Sequence, residues 1–206
     1  MEINGWDYLQ IGFEHITDPG GADHIFFILA LTANFSLRHW KSLLVLITAF
    51  TLGHTLTLLL ATLQVVTVSS AWIEFLIPIT IVLTALYNLA EMGQSNTTPI
   101  FSKSKSAHIP SIRVHYTLAA VFGLIHGLGF SGYLRSLLGR ESDLWQPLLS
   151  FNIGLEVGQL LVVAFALLLV ELLAMIPNVK RNQAALFLSG AAAGPAVIMT
   201  LERFPA

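Results

Sequence analysis

Apolar residues in this chain run in six stretches, about 6–35, 41–64, 70–92, 113–138, 146–176 and 183–203, separated by short polar breaks. Each is near or above the ~20 residues a helix needs to cross a bilayer. The expected fold is therefore all-α, a polytopic membrane helix bundle forming a single integral membrane domain over 1–206. The first stretch is interrupted. Residues 6–17 suffice for only half a crossing, and Asp18-Pro19-Gly20-Gly21 cannot continue a regular helix. The pattern predicts a half-helix or re-entrant piece followed by a short helix. Broken backbone at membrane depth is tolerated only where protein or a wet cavity surrounds it, so the break itself points to a site.

Composition supports the membrane reading. The chain is 55% hydrophobic and 11% charged, with a mean hydropathy of +0.74, against roughly 25% charged residues in ordinary soluble domains. The ten basic and twelve acidic residues are scattered over connecting segments, with no basic stripe that would bind nucleic acid. Their placement gives an orientation instead. Arg38, Lys41, Lys103, Lys105, Arg113, Lys180 and Arg181 fall in or beside the first, third and fifth connections, whereas Arg135, Arg140 and Arg203 fall on the other side. By the positive-inside rule the odd connections face the cytoplasm and both termini are periplasmic. The stretch 94–109, rich in Ser, Thr and Lys, reads as a flexible cytoplasmic loop between two three-segment halves. The acidic N-terminus lacks the basic flank and cleavage site of a signal peptide, so the first helix is expected to be retained.

Cysteine is absent, so a metal would have to be held by His, Asp, Glu, Asn or water. Counting positions shows where such groups meet. His54 lies 13 residues past Lys41 and His126 lies 13 past Arg113, which puts each roughly 20 Å above the inner boundary at about 1.5 Å per residue. His24, 14 residues before Arg38, sits at about 21 Å. Glu156, nine residues beyond Pro147, sits at about 16 Å in a ~30 Å core. Asp23 adjoins His24, and Asn152 is one turn from Glu156 on the same face.

Asp23, His24, His54, His126 and Glu156 are thus the expected ligands of a divalent ion in the outer half of the membrane, a donor set suited to nickel, cobalt or zinc. His15, nine residues before His24, could reach the site if the break folds it back; Asn152, Gln159 and Thr55 are expected as supporting groups. Each residue alone has a plainer reading, such as an interhelical hydrogen bond worth about 0.6 kcal/mol. It is the coincidence in depth that favours a site. His39, His108 and His115 are expected to be interfacial or solvated, and Glu74, Glu91 and Glu171 to be boundary residues that can snorkel. Glycines cluster beside the proposed ligands, including Gly53, Gly123, Gly127 and the Gly154-Leu155-Glu156-Val157-Gly158 unit, where small residues would let helices approach closely. The echo between Phe50-Thr51-Leu52-Gly53-His54-Thr55 and Phe122-Gly123-Leu124-Ile125-His126-Gly127 is too short to establish a repeat.

Four motifs together carry a family likeness: Gly12-Phe13-Glu14-His15-Ile16 with Gly21-Ala22-Asp23-His24-Ile25-Phe26-Phe27; Phe50-Thr51-Leu52-Gly53-His54-Thr55-Leu56-Thr57-Leu58; Phe122-Gly123-Leu124-Ile125-His126-Gly127-Leu128-Gly129-Phe130; and Phe151-Asn152-Ile153-Gly154-Leu155-Glu156-Val157-Gly158-Gln159. In this order they resemble the HupE/UreJ membrane family. The Asp-His-Ile and Gly-His-Thr pieces are also similar to motifs of the broader nickel/cobalt transporters. The resemblance implies a permease-like protein of a bacterial inner membrane, serving nickel or cobalt uptake for hydrogenase and urease maturation. A metallochaperone or maturation factor is then a natural partner besides the lipid bilayer, and a homo-oligomer is compatible with it. The chain departs from the broader transporters in placing His15 eight residues before Asp23, across a Pro and two Gly, and in lacking a His-rich loop.

The expected function is binding and facilitated transport of Ni²⁺ or Co²⁺. The alternative is an intramembrane zinc-dependent hydrolase, in which three His ligands leave one position for an activated water and Glu156 or Asp23 serves as base.

Overall fold

The computed structural model describes residues 4–95, 112–138 and 144–205, with backbone alone for 92–95. Among them are seven α-helices: α1 (Gly5–Thr17), α2 (Asp23–Thr32), α3 (Trp40–Thr62), α4 (Ser70–Ser95), α5 (Ile112–Leu138), α6 (Trp145–Ala174) and α7 (Arg181–Glu202). Five of these, α3 to α7, are long and apolar enough to cross a membrane. The expected polar connection over 94–109 begins within α4 and from residue 96 lies outside the described residues, as do Lys103, Lys105, His108 and Arg140.

The broken first segment forms as its chemistry requires. The Asn4 side chain accepts from the backbone N–H of Trp6 (2.8 Å) and Asp7 (3.2 Å), while Asp7 Oδ2 accepts from the Asn4 backbone at 2.8 Å, so α1 starts on a reciprocal cap worth about 1 kcal/mol. It stops at Asp18, whose Oδ1 accepts from Gly20 N at 2.8 Å and stabilises a single 3-10 turn over Pro19–Gly21. Then α2 begins at Asp23. Neither piece alone reaches across a ~30 Å hydrocarbon core, since α1 and α2 rise roughly 20 Å and 15 Å.

Two seams hold the bundle together, α3 against α5 and α1 against α6. In the first, a methyl group on Gly123 would run into the carbonyl oxygen of Phe50, one on Gly127 into that of His54, and one on Gly53 would lie 2.6 Å from that of Ala120. Backbone touches backbone, and the pairings 50 with 123 and 54 with 127 keep one offset, so the helices run parallel. The two short motifs that echo one another in the sequence face each other here. In the second seam Gly12 meets the Phe151 carbonyl and Gly154 that of Leu9, and the pairings 9 with 154 and 13 with 158 keep one offset, so these helices are parallel too. Dispersion and shape, rather than a hydrophobic drive that lipid would cancel, favour such contacts in a bilayer.

Tryptophans mark the edges. Trp6, Trp72 and Trp145, at or near the starts of α1, α4 and α6, and Trp40 at the start of α3 are all more than half exposed, as amphipathic rings at headgroup level are. At the α2 end, Asn88 donates to Ala30 O (2.7 Å) and Ser189 Oγ (3.0 Å), Asn34 donates to Glu91 Oε2 (3.2 Å), and Arg181 bridges Phe35 O and Glu171 Oε1, both at 2.9 Å. Two of these bonds give side-chain donors to the carbonyls of Ala30 and Phe35, at and just beyond the end of α2, where the helical ladder runs out. Two expectations change here. His115 and Glu91 are buried rather than solvated or at the boundary, because Phe35 and Tyr87 close over the imidazole and Asn34 and Tyr87 donate to the carboxylate.

The seams predict opposite signs for one substitution at two glycines. Gly123→Ala, which presses a methyl into a carbonyl, should lower unfolding stability by about 1–3 kcal/mol. Gly190→Ala, where nothing lies within 4 Å, should raise it by about 0.5–1 kcal/mol through helix propensity. Thermal unfolding in detergent reads both.

Candidate metal centre

The seams decide where the imidazoles point. Because Gly53 and Gly127 lie in the α3–α5 contact, His54 and His126, one position away and so ~100° around each helix, turn toward the interior beside it. On α1, Gly12 and Ile16 face α6, and His15 projects from the last turn. The break then reverses enough chain to place His24, in the first turn of α2, against it, with ring centroids 4.5 Å apart. One nitrogen each from His15, His24 and His54 lies within 4.8 Å of the others. His126 joins through its Nδ1, 3.3 Å from His24 Nε2.

The partners of these rings are unequal. Asp23 Oδ1 lies 3.1 Å from His24 Nδ1, the carboxylate–imidazole contact that orients metal-binding histidines. His126 Nε2 lies 3.3 Å from Thr80 Oγ1, and that hydroxyl donates to Ile77 O. By contrast His54 is fully buried with neither ring nitrogen bonded, and His15 Nε2 is also buried without a partner. Leaving a buried polar atom unsatisfied costs about 1–3 kcal/mol. Phe50 and Phe151 both stack against His54, with centroids at 6.1 and 6.3 Å, and Phe130 packs on His15 at 4.0 Å. An apolar collar thus surrounds two rings that keep unsatisfied nitrogens, and one nitrogen of each can join the ligand group, as a cation-binding set needs. Two nitrogens bound to one ion at about 2.1 Å can be at most about 4.2 Å apart, so the group would contract by small side-chain rotations on loading.

A cavity of about 800 Å³ leads to this group, with His15, His24 and His126 on its lining and His54 beyond it. Glu14, Asp18, Asp23 and Glu74 also line it, and among the described residues the one lining cation is Arg203. Low-dielectric walls and carboxylates focus a potential that draws cations in. Arg203 lies 3.6 Å from Asp23 Oδ2 and so holds the acid that orients His24.

Of the residues expected from sequence, Asp23, His24, His54 and His126 come together and His15 joins them. Glu156 does not enter the group. Its Oε1 accepts from Thr48 Oγ1 at 3.0 Å, because Thr48 lies six residues, or about 9 Å of helix rise, from His54 on α3. Asn152 accepts from Thr55, and Gln159 accepts from Thr51 at 2.9 Å, all between α3 and α6. Thr80, Arg203 and the vestibule role of Glu14 and Glu74 were missed. For Thr80 a signal existed, since Thr80, Thr84, Asn88 and Glu91, at spacings of four, four and three, form one buried polar stripe on an otherwise apolar helix. Arg203, at the far end of the chain, carried none.

A family model described as HupE / UreJ protein matches residues 2–202. The chain belongs to the HupE/UreJ family. No curated protein and no solved structure matches it. As a HupE/UreJ protein with five membrane-length helices it is an integral membrane protein, and the family implies a function related to nickel or cobalt transport. Its His15–His24–His54 group could hold a metal ion.

The unsatisfied rings predict a trade of stability for binding. His54→Leu should stabilise the metal-free protein by about 1–3 kcal/mol and remove the rise in unfolding temperature caused by Ni²⁺; unfolding scans with and without the ion test both. Freeing Asp23 by Arg203→Gln should tighten Ni²⁺ binding about twofold to fivefold, the range of a partly exposed ion pair, measured by calorimetric titration.

Proposed function

We propose that this HupE/UreJ protein binds Ni²⁺ or Co²⁺ at the imidazole group and lets it pass across a bacterial inner membrane. The observation that carries this reading is the set of buried, unpartnered nitrogens of His54 and of half-buried His15, at the end of a cavity lined by carboxylates. Soluble-domain histidines are satisfied by hydrogen bonds when buried; these are held unsatisfied by aromatic walls.

In this mechanism both termini and the vestibule face the periplasm, following the distribution of basic residues. The hydrated ion enters past Glu14, Asp18 and Glu74 and exchanges water for imidazole nitrogens of His15, His24, His54 and His126. Asp23 orients His24. The turn at Asp18-Pro19-Gly20-Gly21 is the hinge about which α1 and α2 shift to release the ion inward. The chain has no nucleotide-binding motif, so the driving force is the membrane potential, a coupled ion or intracellular capture. The potential alone supplies about 2.3 kcal/mol per charge per 100 mV, hence roughly 4.6 for a divalent ion. A metallochaperone or maturation factor would accept the ion inside.

Uptake of ⁶³Ni²⁺ or of Co²⁺ into sealed vesicles containing the purified protein tests this. The native chain should show saturable entry, and His54→Ala and His24→Ala should lower it by about tenfold or more. Stoichiometric Zn²⁺ binding without entry of any ion would overturn transport and direct the search to hydrolysis.

A further inference from the structure

The imidazole group lies at one end of a second polar feature. Along the α3–α6 seam, Thr55, Thr51 and Thr48 each donate to a side chain of α6: to Asn152 Oδ1, to Gln159 Oε1 at 2.9 Å and to Glu156 Oε1 at 3.0 Å. The three threonines fall at spacings of three and four on α3, so they form one stripe about 10 Å long. The stripe begins next to His54, the imidazole beyond the vestibule, and descends toward the start of α3, where Arg38 and Lys41 lie.

Glu156 ends it. The residue is half-buried, among the described residues no basic group pairs with it, and Oε1 takes the hydroxyl of Thr48, an exposed residue of α3, in a bond at the surface of the bundle. Around it Leu44, Val45 and Leu52 of α3 and Ile153, Val157 and Leu160 of α6 are exposed apolar residues of the lipid-facing surface. An acidic side chain inside such a belt is expensive, and its default reading is an ion path.

We infer that Glu156 is a second cation station, inward of the imidazole group and reached through the α3–α6 seam. This rests on the permease reading. The first station offers imidazole nitrogens, which bind Ni²⁺ and Co²⁺ well; the second offers carboxylate, amide and hydroxyl oxygens, which hold them less tightly. An ion moving from nitrogen to oxygen ligands moves toward release, and conduction needs a last site weak enough to leave. The amide oxygens of Asn152 and Gln159 lie along the stripe that joins the two stations.

The test separates binding from passage. Ni²⁺ binding to the full-length protein in detergent is measured by calorimetric titration, and Ni²⁺ uptake in vesicles, for the native chain, Glu156→Gln, Glu156→Asp, Thr48→Val and His54→Ala. A separate station predicts that Glu156→Gln keeps the stoichiometry and, within about twofold, the affinity of the imidazole group while uptake falls about tenfold or more. Glu156→Asp should restore part of the uptake, and Thr48→Val should lower it less than Glu156→Gln does. His54→Ala should lose both binding and uptake. Unchanged uptake in Glu156→Gln overturns the inference. So does loss of binding in Glu156→Gln with a native unfolding temperature, which would make Glu156 a ligand of the first group. A native chain that binds no Ni²⁺ removes both this inference and the permease reading, whereas native uptake with indifferent Glu156 variants removes this inference alone.

Discussion

Everything at the centre of this protein depends on helix backbones touching at glycine. Where Gly53, Gly123 and Gly127 bring α3 onto α5, and Gly12 and Gly154 bring α1 onto α6, no side chain separates the main chains. The residues one step around each helix are then forced into the space that remains. Those residues include His54 and His126 on one seam, while His15 projects from the last turn of the helix that forms the other. A methyl group at one of these glycines would meet a carbonyl that a helix cannot move without breaking its own ladder. The same constraint that gives the bundle its stability therefore gives the imidazole group its geometry.

The break in the first segment supplies what the seams cannot. A continuous helix over 5–32 would carry His15 and His24 about 13 Å apart along its axis, too far for one ion. Asp18, Pro19 and the two glycines interrupt it, and the rings meet at 4.5 Å. The exposed turn also leaves an opening beside them, into which Asp18 and Asp23 project with Glu14 and Glu74. Attraction for a cation and access for it thus arise from one local feature. The other end of the short helix is held by Asn88, and the chain just beyond it by Arg181, so α1 and α2 are tied to different neighbours.

Much of this could be read from residue order. Runs of apolar residues longer than a soluble core requires place α3 to α7 within a few residues, because a bilayer demands length and apolarity before anything else. The proline and glycines announce the break, and counts of 13 or 14 residues from the basic edges put His24, His54 and His126 at one level. His15 was harder, since its proximity depends on the angle at the break. Glu156 was placed by depth alone, and depth carries no information about which way around the helix a side chain faces; the structure turns it to Thr48. Glu91 and His115 lie at helix ends, where polarity suggested water, yet neighbouring helices cover them.

Sequence alone therefore determined that this chain is a helical membrane bundle, that its first segment is interrupted, and which of its polar residues share a depth; length, hydropathy and the rigidity of proline settle these one segment at a time. Only the tertiary structure decided which of those residues meet. Azimuth and helix adjacency arise from contacts between segments distant in the chain, and it is there that His15 joins the group, Glu156 leaves it for the α3–α6 seam, and Arg203 arrives from the far terminus to meet Asp23.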